Sequence, residues 1–390
     1  MSLHPSLSGD VFDLPPLDPT EVMQPYVPCW CRSGKKWKFC HKGRESMKAV
    51  PIGRLFNEMR VSTIKSYCSH PLAGPSCGKL IRSHTIQRRG GLSEIAELGH
   101  VYSVKEGSAR VLENSGVVTP QRIGYRSAST FAGFCGVHDR EMFAPIETRV
   151  PEQTKQNIFL FSFRAIAYEE FSKSWAHNCV AIQRQADFGT SFLEQTSIQE
   201  YLHCYETGLK RGISDIAIWK EEYDDAYRNN DYAKFSGYAC TFVGTLPIAS
   251  CGAFHPEVDF FGNQLQVITR GDAPFEHIAF SLAPVDGVTL LTFGWFGEDD
   301  GPAEKFARSF MALVNADKSN AAIHLAFEHL ENTYITPTWW DSLNEADRAA
   351  LTRRSMPGGG PRGPDRGTDS LTNLEPIVSS MLISGEALLL

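Results

Sequence analysis

The chain has 390 residues, 42% hydrophobic and 21% charged, with a formal net charge of −7. That length supports two or three domains with cores of their own, and the lack of an apolar run of about 18 residues argues against a transmembrane helix. The opening stretch MSLHPSLSGDVFDLPPLDP is acidic and proline-rich, without the basic start and apolar centre of a secretion signal. A cytoplasmic setting is therefore expected, with no membrane partner, and clustered cysteines read as metal ligands before disulfides.

In chain order, residues 1–27 read as a flexible leader. Residues 28–43, PCWCRSGKKWKFCHKG, bring Cys29, Cys31, Cys40 and His41 into one short run, the ligand types and spacing of a tetrahedral zinc knuckle. Lysines lie between them, and residues 30–90 carry fourteen Lys or Arg against Glu45 and Glu58. Such a basic block on an acidic chain suggests a phosphate-bearing partner, although a solvated surface reads the same way. Residues 44–60 form a short helix or a linker. Residues 61–150 hold a second set: Cys68 and Cys77 in YCSHPLAGPSCGKL, then Cys135 and His138 at the start of a helix. Two ligands from a knuckle and two from a helix start make a treble-clef zinc site; His70 could replace either of the first two. His84 lies on an expected strand, KLIRSHTI, and His100 on another. Ser127 and Thr130 could line the same cleft as these histidines, or cap the helix that carries Cys135.

From about residue 155 to 353 the pattern is that of an α+β domain. Three helices are expected first, with Gly212 ending the second and Asp215 opening the third. Strands follow in YACTFVGTLPIAS, QLQVITRG, EHIAFSLAPV and VTLLTFGWFG, the last two joined by an Asp286-Gly287 hairpin turn. Two helices and a third, TPTWWDSLNEADRAALTRR, close the domain. Residues 354–390 open with a Gly/Pro-rich stretch and are expected to be largely disordered. Cys179, Cys204, Cys240 and Cys251 are isolated and read as small buried hydrophobes.

Two resemblances can be set on these residues. PCWCRSGKKWKFCHKG closely resembles the SEC-C motif, a zinc knuckle found at the tail of the bacterial preprotein translocase ATPase. There it contacts protein and ribosome partners, which the resemblance allows here. Residues 61–150 resemble the zinc-supported HNH nucleases of the ββα-metal fold. Carried over by position, His84 matches the general base and Cys135 and His138 the zinc pair on the helix. Asp139 falls where the family has a metal-binding histidine, with Glu141 and Glu147 beyond it.

The resemblance implies a catalytic Mg2+ or Mn2+ besides two structural zinc ions. It also implies hydrolysis of nucleic acid phosphodiesters, with His84 taking a proton from water. Such a nuclease would suit a bacterial defence or stress effector. Ser83 stands where the family has an acid, and the middle Asn is at best Asn114. The rival reading is a non-catalytic adaptor, in which both zinc sites only fold small modules and the basic face binds ribosome, RNA or protein. In it His84 is a structural histidine bonded to backbone.

Overall fold

The computed structural model describes residues 16–62, 67–75, 77–105, 118–147, 150–267, 275–355 and 371–390. After two shorter helices, α1 (Ile52–Val61) and α2 (Gly136–Phe143), come two long ones. α3 (Lys155–Gln183) starts where Thr154 accepts a hydrogen bond from the Asn157 N–H. Ile158, Phe159, Phe163 and Ile166 are buried on its first half. α4 (Phe192–Asn229) opens with a reciprocal Ser191–Glu194 capping box. It ends at Asn230, which adopts the left-handed conformation at φ 49°. The helix runs straight through Gly212, where the sequence suggested a stop. A Cβ at that position would lie 3.2 Å from Lys173 Cδ of α3. The glycine therefore sits inside one continuous helix, against the Lys173 side chain, rather than ending it.

Against α3 lies an eight-stranded antiparallel sheet, in the order β10-β5-β8-β7-β6-β9-β2-β3. Its centre is β5 (Phe235–Val243), β6 (Ile248–Phe254), β7 (Ile278–Val285) and β8 (Val288–Phe296). Side chains alternate between two cores, as a two-residue period requires. Tyr238, Cys240, Phe280, Leu282, Leu291 and Phe293 face one core with Phe306, Phe310 and Ile323. Those three belong to α5 (Pro302–Met311) and α6 (Asn315–His329). Ala239, Ala279 and Leu290 face the other core, with Phe159 and Phe163 of α3. The β7–β8 turn has positive φ at both Asp286 (48°) and Gly287 (79°), the backbone such a tight hairpin needs. The class is thus α+β, as the residues suggested.

Several segments differ from expectation. YACTFVGTLPIAS forms two strands, β5 and β6, rather than one. The described part of QLQVITRG makes only an isolated bridge, Val258 to Gln264, and residues 268–271 lie outside the described residues. Here Asp259 accepts from the N–H groups of Phe261 and Asn263, a local turn that competes with a ladder. The last expected helix breaks at Leu343 into α7 (Pro337–Ser342) and α8 (Glu345–Arg354), where Asn344 caps a fresh start.

Residues 371–390, inside the stretch expected to be largely disordered, include β10 (Ile383–Leu389). It pairs with β5 at the sheet edge, Leu388 opposite Tyr238. Its Glu386 takes the buried Lys318 ammonium at 2.5 Å. At the other edge, β9 (Thr333–Ile335) pairs with β2 (His100–Ser103), which pairs with β3 (Gln121–Gly124). The 61–150 stretch therefore donates two strands to the main sheet. Among the described residues no helix is long and apolar enough to cross a membrane.

Candidate metal centres

The first centre is built locally. The Cys29 N–H bonds the Lys35 carbonyl at 2.9 Å, closing a turn in which Arg32 and Gly34 take positive φ. A single 3-10 turn, Trp37–Phe39, then presents Cys40 and His41. The four ligand atoms lie within 4.8 Å of one another. Cys29 Sγ is 3.1 Å from His41 Nδ1 and Cys31 Sγ is 3.5 Å from Cys40 Sγ. Ligands about 2.0–2.3 Å from a tetrahedral zinc stand near such separations, so three thiols and an imidazole fit that ion. Ser33 Oγ lies 3.2 Å from both Cys31 and Cys40 Sγ, an added partner for the thiolates. Leu17, from the stretch expected to be a flexible leader, packs with Trp30 and Trp37 in a small core over the site. Residues 1–15 lie outside the described residues.

This knuckle is not a loose appendage. It sits on the elbow between α3 and α4. His41 Nε2 meets Asp187 Oδ2 at 3.0 Å, and Arg44 Nε meets Asp187 Oδ1 at 2.5 Å. Gln199 Nε2 donates to the same carboxylate at 2.6 Å. Arg184 reaches back to the Cys31 carbonyl at 3.2 Å. Trp30 packs edge-on to Phe192, and the Arg44 guanidinium covers the Phe188 ring at 4.3 Å. Sequence reading missed Asp187, Arg184 and Gln199, since they lie far from the knuckle in the chain, and it counted Arg44, three residues from His41, only as part of the basic block.

The second centre gathers distant segments. Cys68 and Cys77 flank a turn, and Cys135 is the N-cap of α2 (Gly136–Phe143), which carries His138. Strands β1 (Leu80–His84) and β4 (Thr130–Cys135) pair antiparallel with Leu80 opposite Cys135, which brings the two ligand pairs together. The four ligand atoms again lie within 4.8 Å. Burial would raise the Cys135 thiol, but backbone N–H groups of His138, Gly78 and Val137 outweigh it and lower its pKa. His70 is not a fifth donor. It stacks on His138 at 4.0 Å and bonds the Tyr227 hydroxyl at 3.3 Å. Lys220 of α4 donates to the Ser69 carbonyl at 2.9 Å. The capping expectation is corrected here: Thr130 lies in β4, the Ser127 hydroxyl bonds the Gly124 carbonyl, and Cys135 itself caps α2.

Among the described residues these two Cys3His sets are the only groups of three or more potential ligands that could hold a metal ion. His84, Asp139 and Glu141 do not make a third. His84 Nε2 lies 3.3 Å from the Arg126 carbonyl, and burial lowers its pKa, so it is neutral at pH 7. Asp139 is raised by burial, against the pull of the Arg164 guanidinium and the neighbouring Ser83 hydroxyl, and its Oδ1 has no hydrogen-bond partner. Arg164 is 2% exposed. It pairs with Glu147 at 2.6 Å and stacks on Phe143 at 3.9 Å. A buried cation thus already faces the carboxylate. Its signal in the sequence is an arginine inside the apolar run FLFSFRAIAY. Glu141 is exposed on α2, and His100 bonds the Leu98 carbonyl on the main sheet, away from this cluster. Asn114 lies outside the described residues.

The basic block stays at the surface. Of its fourteen cations Arg44 is buried and Lys65 lies outside the described residues; the others are exposed. On the knuckle, Tyr26 is 61% and Phe39 67% exposed. Lys36 and Lys38 approach the Tyr26 ring at 5.7 and 5.2 Å, and Lys38 approaches Phe39 at 5.7 Å.

No family model matches the chain, and no curated protein or solved structure matches it.

Proposed function

We propose that this protein is a zinc-built adaptor that binds single-stranded nucleic acid across the face of its first knuckle. The observation that carries the reading is the exposed pair Tyr26 and Phe39 set among Lys35, Lys36, Lys38 and Lys42. Lysines neutralise phosphates and release counterions. Exposed rings stack bases without regard to sequence. Zinc in both Cys3His sets, the first as a SEC-C knuckle, would hold that face in shape.

A metal-dependent HNH-like nuclease remains the second reading. It is favoured by the neutral His84 and by the order β1, β4, α2, with Asp139 on the helix. Ser83 and the Arg164 guanidinium weigh against it, since a divalent ion needs carboxylates where these residues stand.

One experiment separates the two. Zinc-loaded protein is titrated into fluorescent single- and double-stranded RNA and DNA across a salt series, with Mg2+, Mn2+ or EDTA present. The adaptor gives salt-sensitive binding of single strands and no cutting. Lys36→Ala with Lys38→Ala should lower the log–log salt slope by about 2. Phe39→Ala should weaken binding by about 1–3 kcal/mol without changing that slope. Metal-dependent cutting that vanishes in His84→Ala would establish the nuclease instead. Absence of binding at low salt would sink the adaptor.

A further inference from the structure

We infer that Asp187 is a positioning residue for the first metal centre: from the α3–α4 elbow it orients His41 toward the metal, so that filling the knuckle and seating it are one event. The geometry is specific. His41 Nδ1 faces Cys29 Sγ at 3.1 Å, and its other nitrogen, Nε2, faces Asp187 Oδ2 at 3.0 Å. The imidazole is therefore divided, one nitrogen toward the thiols and one proton toward a carboxylate. Asp187 is 0% exposed, and a carboxylate is costly to bury unless its lone pairs are used. Here they are used by His41, by Arg44 Nε at 2.5 Å and by Gln199 Nε2 at 2.6 Å.

Those three donors come from different places. His41 and Arg44 belong to the knuckle, and Gln199 belongs to α4. Arg44 also donates to the Arg184 carbonyl at 2.5 Å, and Arg184 donates to the Cys31 carbonyl at 3.2 Å and to Gln199 Oε1 at 2.5 Å. Scaffold and metal site thus share one buried polar network. A carboxylate behind a ligating histidine fixes its tautomer and ring orientation and strengthens it as a donor. Losing such a partner lowers metal affinity by roughly 10–100-fold. Among the described residues no carboxylate bonds His138 at the second centre, where the His70 ring stacks on it instead. That centre therefore serves as an internal control.

The test uses the full chain loaded with two equivalents of zinc and challenged with a chromophoric chelator. Asp187→Asn keeps the shape but leaves one acceptor oxygen for three donors. The first centre should then release zinc at a chelator strength roughly 10–100-fold lower, while the second holds. The decisive arm repeats the substitution in a His41→Cys background. A thiolate has no ring to orient, so there Asp187→Asn should change the first centre by no more than about threefold, well short of that 10–100-fold loss.

Equal loss in both backgrounds would make Asp187 a packing residue and overturn the inference, as would unchanged zinc retention in Asp187→Asn alone. Should Asp187→Asn disturb both centres, Gln199→Met carries the test by removing the carboxylate's anchor on α4, at a residue that touches none of the four ligands. Weaker zinc at the first centre alone then upholds the inference, and unchanged zinc overturns it.

Discussion

The two candidate metal centres offer the same donor set, three thiols and one imidazole, yet they are built in opposite ways. The first takes all four ligands from residues 29–41 and then leans on the scaffold through Asp187. The second takes its ligands from residues 68–138, joins a turn, two strands and a helix, and shares its core with the rest of the molecule. Phe134 and Phe143 are fully buried in the same cluster as Phe159 and Phe163 of α3. The first centre packs only a small cluster of its own around Trp30 and Trp37. The first docks on the α3–α4 elbow and the start of α4, through Arg184, Asp187 and Phe192, and the second docks on α4 near residues 220–228. A local centre can be lost without the core; a centre tied into the core cannot.

Breaking each centre in turn should show this most strongly. Cys135→Ser removes a ligand that is also the cap of α2. Structural zinc contributes about 10–16 kcal/mol, comparable to an entire domain's stability of about 5–15 kcal/mol. The expected outcome is loss of the cooperative thermal transition. Cys40→Ser should instead free one zinc, expose residues 28–43 to protease and leave the main transition nearly in place. Equal collapse in both variants would erase the contrast.

Acid sharpens the comparison from the side of the sheet, which holds neither centre. His277 and His324 are buried, and burial lowers their pKa values to about 3 and about 4. In the unfolded chain they titrate near 6.5. Below that pH the unfolded state gains protons that the folded state refuses, so stability falls as pH falls from about 6.5 toward 3–4. Each contributes roughly 3–5 kcal/mol over that window. Urea midpoints measured against pH should show the slope, and a His324→Gln variant should show less of it. A slope unchanged in that variant would show that His324 takes no part in the acid sensitivity.

The smallest effect is expected at His70→Phe. The stack on His138 is kept, and the bonds to the Tyr227 hydroxyl and from the Leu72 N–H are lost, for about 1 kcal/mol each. A drop in zinc retention there would mean that His70 supports the second centre by more than packing.

Much of the site was legible because ligands announce themselves. Cys29, Cys31, Cys40 and His41 are near neighbours in the chain, and Cys68, Cys77, Cys135 and His138 stood out as two spaced pairs. The hairpin at Asp286-Gly287 was readable from its turn chemistry. Gly212 misled because a glycine that ends a helix and one inside a continuous helix look the same in a string. β10 was hidden because its partner, β5, lies far earlier in the chain and no turn residues join them. Asp187 was hidden for the same reason, as the group it serves is His41.

The sequence by itself determined the α+β class, the two donor sets and the basic block, because each depends on residue type and short spacing. Only the tertiary structure decided that the first knuckle is seated rather than tethered, and that Arg164 is buried near Asp139. It also decided that β2 and β3, from residues 100–124, and β10, from residues 383–389, complete one sheet. Those facts rest on burial and on long-range hydrogen bonds, which exist only once distant segments have been brought together.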